Sequence, residues 1–372
     1  MSYLKHSEVV SSVHSKFEIA KSSGALLFYP STRSRATERG FGFEITICPA
    51  LQKKPSLPKP DSAKSDKPDP FAPPYIPDLF IGELKDELDG DEYVVLLNKF
   101  SVIPGHFLMV TKEFQPQSSP LTPPDLTQAY LLIRASQKSK SPIFAFYNCG
   151  ADSGASQPHK HIQFLPTTRD EADEDEDEEV NSRPPVEAYI QGLKLQDDTK
   201  LFSLPLPYGH FVQKLQLPKA TVSGTKPLSE EALEGLSGKL TSTFLDLFDE
   251  AVQAVRRYHS SQTIATGPAE SNQAFISYNV ILTSEHMHVI PRLREQTLDE
   301  LDPDGAGKTE TESEAQPPQK LSINSLGFAG MLLAKSDTDA QAIKARGVVE
   351  LLSQVGVPNI AEKSDDPPES SA

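Results

Sequence analysis

The clearest pattern in the chain is the segment Gly154-Ala155-Ser156-Gln157-Pro158-His159-Lys160-His161-Ile162-Gln163-Phe164-Leu165-Pro166. Polar side chains recur at every second position from His159 to Gln163. Alternation with a period of two residues is typical of a β-strand. The segment therefore predicts a strand that presents His159, His161 and Gln163 on one face. We expect the remaining side chains to point the other way, namely Lys160, Ile162 and Leu165.

Small and hydrogen-bonding residues precede this strand, from Gly154 to Gln157. Such residues allow backbone and side-chain donors to come close to a bulky anion. An imidazole next to a phosphate-binding loop is well placed for nucleophilic attack on phosphorus. The segment therefore indicates a phosphate site with a histidine nucleophile.

Two other interpretations of the His-x-His pair are open, a zinc half-site and a core strand with hydrogen-bonded histidines. Zinc would need further ligands, and Cys48 and Cys149 do not have the spacing of a Cys-x-x-Cys or zinc-finger site. A core strand would not account for Gln163 in register or for the small-residue loop. We therefore favour the catalytic interpretation.

Composition limits the class of protein. The chain has 372 residues, which is ample for a hydrophobic core, and it carries a net charge of −16. That charge argues against a general binder of nucleic acid or of anionic membranes, although not against a nucleotide pocket. Two cysteines, no apolar run long enough to span a bilayer and no signal-peptide pattern favour the cytoplasm, with the nucleus as a second compartment.

Polar inserts interrupt the chain at residues 52–78, 170–183, 299–319 and 361–372, and we predict loops or disorder there. Within the second insert, nine of the ten residues from Asp170 to Glu179 are acidic. This run has two interpretations, a binding site for a basic partner or for cations, and a solvated loop insertion. We favour the loop, because so dense a group of like charges cannot pack.

Between the inserts, hydrophobic periodicity predicts alternating helices and strands. The long helix that starts at Ser229 is expected to be firm only from about Lys239, because Gly235 and Gly238 weaken its first turns. Other helices are predicted at 7–22, 124–136 and 337–355, and strands at 26–29, 43–48, 93–97, 107–110, 143–148, 208–212, 275–282 and 288–291.

Several stretches together carry a resemblance to a known family. His159-x-His161-x-Gln163 resembles the histidine-triad superfamily, in the branch where Gln replaces the third His. More narrowly, the chain is similar to the fungal diadenosine tetraphosphate phosphorylase (ATP adenylyltransferase) family, from about residue 10 to residue 355. The stretches that carry this likeness include 43–51, 70–75, 97–106, 147–150, 277–283, 289–292 and 322–330.

The resemblance implies an α+β fold, with a histidine-triad-like antiparallel sheet, flanking helices and a C-terminal α+β extension. It divides the chain into a catalytic region at 1–196 and an ATP adenylyltransferase region at 197–360. It also implies phosphorolysis of diadenosine tetraphosphate to ATP and ADP through a nucleotidyl intermediate on His161. His159 would hold the position or tautomer of that ring, and Gln163 would donate a hydrogen bond to a phosphoryl oxygen.

Further residues are expected to bind the substrate. The resemblance places one lysine of the pair Lys53 and Lys54 on the polyphosphate, and we favour Lys54; a solvated lysine pair is the alternative. We expect phosphate and ribose contacts from Asn148, Gly154, Ala155, Ser156 and Gln157. Asp91 and Glu92 are expected to bind ribose hydroxyls. The alternative is that both are exposed acidic residues without a ligand. The second nucleotide half or the incoming phosphate would bind Asn279, Thr283 and Arg292.

We expect a divalent cation, Mg²⁺, to accompany the nucleotide, and no tightly bound metal. The expected partners are a dinucleoside polyphosphate, ATP, ADP and orthophosphate, bound by a monomer that contacts neither nucleic acid nor a membrane. Other functions stay open, namely a hexose-1-phosphate uridylyltransferase-like or ADP-sulfurylase-like nucleotidyltransferase, or a non-catalytic binder of dinucleoside polyphosphates.

The sequence departs from the family pattern in one stretch. Where the family tends to have Lys-x-Trp-Met, this chain has Ser284-Glu285-His286-Met287. The second His-x-His pair, His286 and His288, lacks a following Gln and a small-residue loop. We interpret it as a strand feature, with phosphate binding as the alternative.

Overall fold

A computed structural model describes residues 2–53, 68–137, 142–167, 183–195, 200–218, 221–222, 227–266, 276–300 and 320–359. Most of the four predicted polar inserts lies outside the described residues, and so does Lys54. None of the helices in these ranges combines the length and the apolar character needed to cross a membrane.

Sixteen strands form the sheets of the described chain. In chain order they are β1 (Leu27–Phe28), β2 (Thr32–Glu38), β3 (Phe41–Ile47), β4 (Phe80–Lys85), β5 (Glu92–Leu97), β6 (Phe100–Ser101), β7 (Phe107–Thr111), β8 (Ile143–Cys149), β9 (His161–Pro166), β10 (Leu201–Ser203), β11 (Phe211–Lys214), β12 (Ser277–Leu282), β13 (His286–Arg292), β14 (Gln296–Glu300), β15 (Lys320–Ser322) and β16 (Met331–Ala334).

Helices flank these strands at both ends of the chain and between them. They are α1 (His6–Ser22), α2 (Pro123–Ser136), α3 (Pro185–Gly192), α4 (Glu230–Thr266), α5 (Ser325–Phe328), α6 (Asp337–Arg346) and α7 (Val348–Ser353). The predicted α+β class, with an antiparallel sheet and flanking helices, is confirmed.

The main sheet has nine strands in the order β10-β11-β13-β12-β8-β9-β7-β5-β4. Neighbouring strands in it are antiparallel. β8 pairs with β12 at its centre, so both predicted regions of the chain contribute to one sheet. The order strand-helix-strand-strand occurs on each side of this pairing, as β7-α2-β8-β9 and as β11-α4-β12-β13.

The two faces of this sheet differ in character. One face packs against α1, α2 and α4 through a large apolar core that includes Phe17, Tyr130, Ile162, Leu240 and Val289. The opposite face packs against α3 and the three-stranded sheet β16-β3-β2. It also carries polar side chains among the apolar ones. Residues directly opposite on paired strands share a face. One row of residues that share this face runs across the sheet through Gln163, Phe146, Ile281 and His288, with a polar side chain at each end.

Most of the predicted helices and strands are confirmed, and four details are wrong. The strand predicted at 208–212 lies at Phe211–Lys214. Some elements were not predicted, among them α3 and the strands β2, β4 and β16. The long helix α4 begins at Glu230 and runs through both glycines, because its apolar stripe is buried against the sheet. The predicted last helix is two helices, because Gly347 has a φ of +92°, which interrupts helical geometry. Leu165 pairs with Phe144 and lies on the face of Gln163, as strict alternation from Gln163 requires.

Lys160 fixes the His strand to helix α2. Its ammonium is buried and forms an ion pair with Asp125, which also accepts a hydrogen bond from Tyr93 at 3.0 Å. Asp125 further accepts from the Thr122 amide at 2.8 Å, in the capping box of α2. The side chain between the two histidines is therefore structural, and it locks the register in which they face the other side.

We predict that Lys160→Met lowers the free energy of unfolding by about 3–5 kcal/mol, because it leaves the Asp125 charge buried without a cation. The double variant Lys160→Met/Asp125→Asn keeps an acceptor and removes that charge, so it is expected to be more stable than the single variant. Urea denaturation of the three proteins tests this. A loss below about 1 kcal/mol in Lys160→Met would contradict it.

Candidate active site

His161 is the first residue of β9, where β8 and β9 separate. Gln117 fills the gap between the two strands: its amide oxygen accepts from the His161 backbone N–H at 2.8 Å. The Gln117 amide nitrogen donates to the Asn148 carbonyl at 2.8 Å. This side chain replaces the missing ladder hydrogen bonds, so the backbone of the candidate nucleophile is held in place.

A hydrogen bond sets the tautomer of His161. Its Nδ1 lies 2.8 Å from the backbone carbonyl oxygen of His159, which can only accept, so the proton of the neutral ring is on Nδ1. The Nε2 lone pair is then unprotonated. Burial lowers the pKa of His161 to about 4, because desolvation disfavours the imidazolium. The ring is therefore a neutral nucleophile at physiological pH.

His159 holds its own carbonyl and the covering loop in place. Its Nε2 lies 2.7 Å from the Thr111 carbonyl oxygen, and its Nδ1 lies 2.7 Å from a carboxylate oxygen of Asp69. The second contact ties down the segment with Phe71, whose ring centroid is 5.1 Å from that of His161. His159 thus orients the nucleophile through its backbone carbonyl, while its ring anchors the loop above the site.

Gln163 is oriented by a residue that the sequence did not assign to the site. Its amide oxygen lies 3.1 Å from His106 Nε2, and His106 Nδ1 lies 2.9 Å from the Asn98 amide nitrogen. Because the Asn98 amide donates to Nδ1, the His106 proton is on Nε2 and points to Gln163. Burial lowers the pKa of His106 to about 4, which keeps this ring neutral as well. The Gln163 NH₂ group is left to face a ligand.

Asn148 contributes a free donor next to His161. Its side-chain oxygen accepts from Asn279 at 2.8 Å and from the Ser325 hydroxyl at 2.7 Å. Its amide nitrogen is buried and has no hydrogen-bond partner among the described residues. A buried donor without an acceptor is costly, and a phosphoryl oxygen would satisfy it.

Asn279 and Arg292 lie behind Asn148, in one buried network. Arg292 donates to the side-chain oxygen of Asn279 at 2.5 Å and to the carbonyls of Ile323 and Ser153 at 2.9 and 3.3 Å. These contacts orient the Asn148 amide. Direct binding of substrate by Asn279 or Arg292 stays a prediction.

A glycine lets the predicted phosphate loop pack closely against Ile323 and Asn324. Gly154 has a φ of +80°, and a Cβ there would lie 2.7 Å from the Ile323 carbonyl oxygen, so only glycine fits. Ala155 follows and is half-buried. The side chains of Ser156 and Gln157 make no hydrogen bond within the described parts of the chain, which leaves their donors available to a ligand.

Other predicted substrate residues lie away from His161. Thr283 is buried in the β12–β13 turn and donates to Glu187 at 2.7 Å. Glu92 forms an ion pair with Lys112 at 2.7 Å on β5, two strands from β9, and Asp91 is exposed beside it. Their roles toward a substrate stay predictions.

Sequence reasoning missed the residues that orient the site through tertiary contacts. Asn98 and His106 were recognisable only as polar residues at a hairpin bend. Gln117 and Asp69 lie in loops without any periodic signal, and their importance follows from distances to His159 and His161.

Comparisons with known proteins agree with this geometry. The Ap4A (diadenosine tetraphosphate) phosphorylase N-terminal domain matches residues 1–179, and the ATP adenylyltransferase C-terminal domain matches residues 204–358. Diadenosine 5',5'''-P1,P4-tetraphosphate phosphorylase 2 of Saccharomyces cerevisiae is 30% identical over 367 residues, covering 94% of each chain. The chain belongs to the Ap4A phosphorylase family. Protein APA1 of the same yeast is 28% identical over 358 residues, covering 95% of each chain.

Solved structures show the same similarity. The crystal structure of yeast Ap4A phosphorylase Apa2 in complex with Ap4A has a TM-score of 0.63 and 25% identity, covering 97% of this chain and all of that one. The complex of Apa2 with AMP has a TM-score of 0.62 at the same identity and coverage. The chain is therefore a nucleotidyltransferase of the Ap4A phosphorylase family, and the predicted resemblance is confirmed.

We predict that His106→Ala lowers the rate of nucleotidyl transfer about 10- to 100-fold and leaves nucleotide binding nearly unchanged, because the Gln163 amide is no longer held. His106→Gln is the matched control, since its amide N–H can still donate to Gln163. Rapid-quench measurement of labelled protein, alongside nucleotide titration, separates rate from binding. Equal loss in both variants would show that His106 has a merely structural role.

The lowered pKa of His161 predicts a pH profile. The nucleophile is lost only as pH falls toward about 4, so the first transfer step should not decline near pH 6.5. Since the unfolded chain takes up this proton near pH 6.5, stability should decrease between about pH 6.5 and 4. Rapid-quench rates and urea midpoints across this range test both statements. A decline in the transfer rate centred at pH 6.5 would contradict the first.

Proposed function

We propose that the protein catalyses the reversible phosphorolysis of diadenosine tetraphosphate to ATP and ADP, through a nucleotidyl intermediate on His161. The observation that carries the proposal is the buried, neutral His161, with its proton on Nδ1 and its Nε2 lone pair free. Relatives named for this activity and for Ap4A binding support the choice of substrate.

In the first step, Nε2 of His161 attacks the phosphorus of one adenylyl group. An N–P bond forms, and the P–O bond to the remaining ATP breaks. The proton stays on Nδ1, which continues to donate to the His159 carbonyl oxygen. This hydrogen bond stabilises the positive charge that develops on the ring. In the second step, an oxygen of orthophosphate attacks the same phosphorus, the N–P bond breaks and ADP leaves.

Gln163 favours phosphate over water as the second substrate. Its NH₂ group can donate to a phosphoryl oxygen in both steps, yet the amide has no proton to exchange near neutral pH. ATP leaves as an anion and needs no proton. Water, by contrast, would need a base, whereas orthophosphate arrives as an anion. The nucleotidyl intermediate on His161 should therefore persist until orthophosphate binds.

Asn148 and the loop from Gly154 to Gln157 would bind the phosphates next to His161. This assignment rests on the unpaired buried Asn148 amide and on the available donors of Ser156 and Gln157. We further propose that Mg²⁺ accompanies the nucleotide and that the protein acts as a monomer in the cytoplasm, with the nucleus as a second compartment.

The nucleophile assignment is tested with His161→Ala and with radiolabelled Ap4A. The wild type should form an acid-labile, alkali-stable adduct, and His161→Ala should form none while binding nucleotide almost normally. His159→Ala serves as the comparison and should keep part of the adduct. Near-wild-type turnover by His161→Ala would refute the assignment.

Phosphate dependence is tested by product analysis. Without orthophosphate the wild type should release at most one ATP per chain, and with phosphate it should form ATP and ADP in equal amounts. Gln163→His should gain phosphate-independent release of AMP, because an imidazole can exchange a proton with water. Rapid AMP release by the wild type in phosphate-free buffer would make the protein a hydrolase. A chain that binds Ap4A and forms no adduct would be a non-catalytic binder.

A further inference from the structure

A second polar group lies on the same face of the main sheet, away from His161. We call it the Glu187 cluster, and it consists of Glu187, His286, His288, Thr283 and His210. Glu187 comes from α3, while the histidines come from β13 and from the residue just before β11. Every member is buried, with at most 7% of its surface exposed. The proposed transfer reaction uses none of these residues.

Two imidazoles converge on one carboxylate in this cluster. His286 Nδ1 lies 2.8 Å from one oxygen of Glu187, and His288 Nε2 lies 3.4 Å from the other. The carboxylate of Glu285 also reaches the cluster, since ligand atoms of Glu187, Glu285 and His286 all lie within 4.8 Å of one another. Three donor atoms thus surround one small volume, at the edge where Glu285 is partly exposed, and His288 contacts the other oxygen of Glu187.

These separations are close to the edges of a metal coordination polyhedron. Ligand atoms bound at about 2.0–2.1 Å in a tetrahedral zinc site lie about 3.3–3.4 Å from one another. His286 Nδ1 lies 2.8 Å from one oxygen of Glu187, which is a few tenths of an ångström short of this value, and His288 Nε2 lies 3.4 Å from the other oxygen. Direct hydrogen bonds and shared coordination therefore differ here by small side-chain shifts.

The groups behind the candidate ligands also have the arrangement that metal sites use. Metal-bound histidines commonly direct their second nitrogen to another hydrogen-bonding group. His288 Nδ1 lies 3.0 Å from His210 Nε2, and the Thr283 hydroxyl donates to Glu187 at 2.7 Å. Both contacts hold a ligand side chain in its present orientation.

The sequence alone led us to expect no tightly bound metal, but the structure supports a different view. We propose that Glu187, Glu285 and His286 bind a first-row transition-metal dication such as Zn²⁺, with His288 or a water molecule as the fourth ligand. A ligand set that contains imidazole suits zinc, cobalt or iron, whereas magnesium prefers oxygen ligands alone. A dication would also balance the charges of the two carboxylates. In this structure Glu285 forms an ion pair with Arg183 at 3.0 Å.

The position of the site indicates a structural role. The ion would join α3 to the turn between β12 and β13, two elements far apart in the chain. β13 lies three strands from β9, which corresponds to about 14 Å at ordinary strand spacing, so the ion would not reach a substrate on His161. Its removal should lower stability and leave the transfer chemistry unchanged.

Metal content is the direct test. Untagged full-length protein is stripped with a chelator, dialysed against Zn²⁺ or Co²⁺, and measured by plasma mass spectrometry and visible absorption. We expect one ion per chain, ligand-field bands of nitrogen- and oxygen-bound Co²⁺, and a melting temperature about 5 °C or more above that of the stripped protein. The rate of the first transfer step at 25 °C should change less than twofold.

Variants locate the ion. Glu187→Gln and His286→Asn should each lose stoichiometric metal, while His14→Asn, at an exposed histidine of α1, should keep it. If both cluster variants fail to fold, the Co²⁺ spectrum and metal-dependent melting of the wild type decide the question alone. A wild type that binds no Zn²⁺ or Co²⁺, or retention of the ion in a folded Glu187→Gln/His286→Asn double variant, would overturn the proposal.

Discussion

The hydrogen bond from His161 Nδ1 to the carbonyl of His159 is the interaction on which the chemistry of this protein depends. It leaves Nε2 as the unprotonated atom, and burial keeps the ring neutral. Neighbouring residues hold both partners of this hydrogen bond in place. Gln117 holds the His161 backbone, and Asp69 and Thr111 hold His159, so the donor and its acceptor cannot drift apart.

A sheet with two unlike faces makes this arrangement possible. One face packs against α1, α2 and α4 through an apolar core, and the opposite face combines a second apolar core with the polar side chains of the site. Lys160 is the exception on the apolar side, and Asp125 neutralises it. The strand β9 therefore has the apolar core of α1, α2 and α4 on one face and the reactive side chains on the other, and the buried charge of Lys160 is paired.

The pairing of β8 with β12 joins two units of the same order at the centre of the sheet. In one unit, β9 carries His161 and Gln163. In the other, β13 carries His286 and His288, and His288 lies in the row that also contains Gln163. The two His-x-His strands therefore share a face, although their surroundings differ: a free donor at Asn148 in the first, the Glu187 carboxylate in the second.

The sequence by itself determined many of the helices and strands and the chemistry of the reactive strand, because strand alternation and helical periodicity are local properties. It did not determine α3 or the strands β2, β4 and β16. His161 and Gln163 on one face, the hairpins and most helices followed from it, and so did the family. The sequence did not predict that the last helix is divided at Gly347, since a continuous apolar stripe does not reveal a positive φ.

Only the tertiary structure decided which residues orient the nucleophile and which predicted residues lie elsewhere. His106 reaches Gln163, and Asp69 reaches His159, across separations of 57 and 90 residues. Thr283 turned out to face Glu187, 96 residues away. Contacts of this kind depend on how the sheet and its loops pack in three dimensions. No local pattern encodes them, because hydrogen bonds between distant residues leave no periodic trace in the chain.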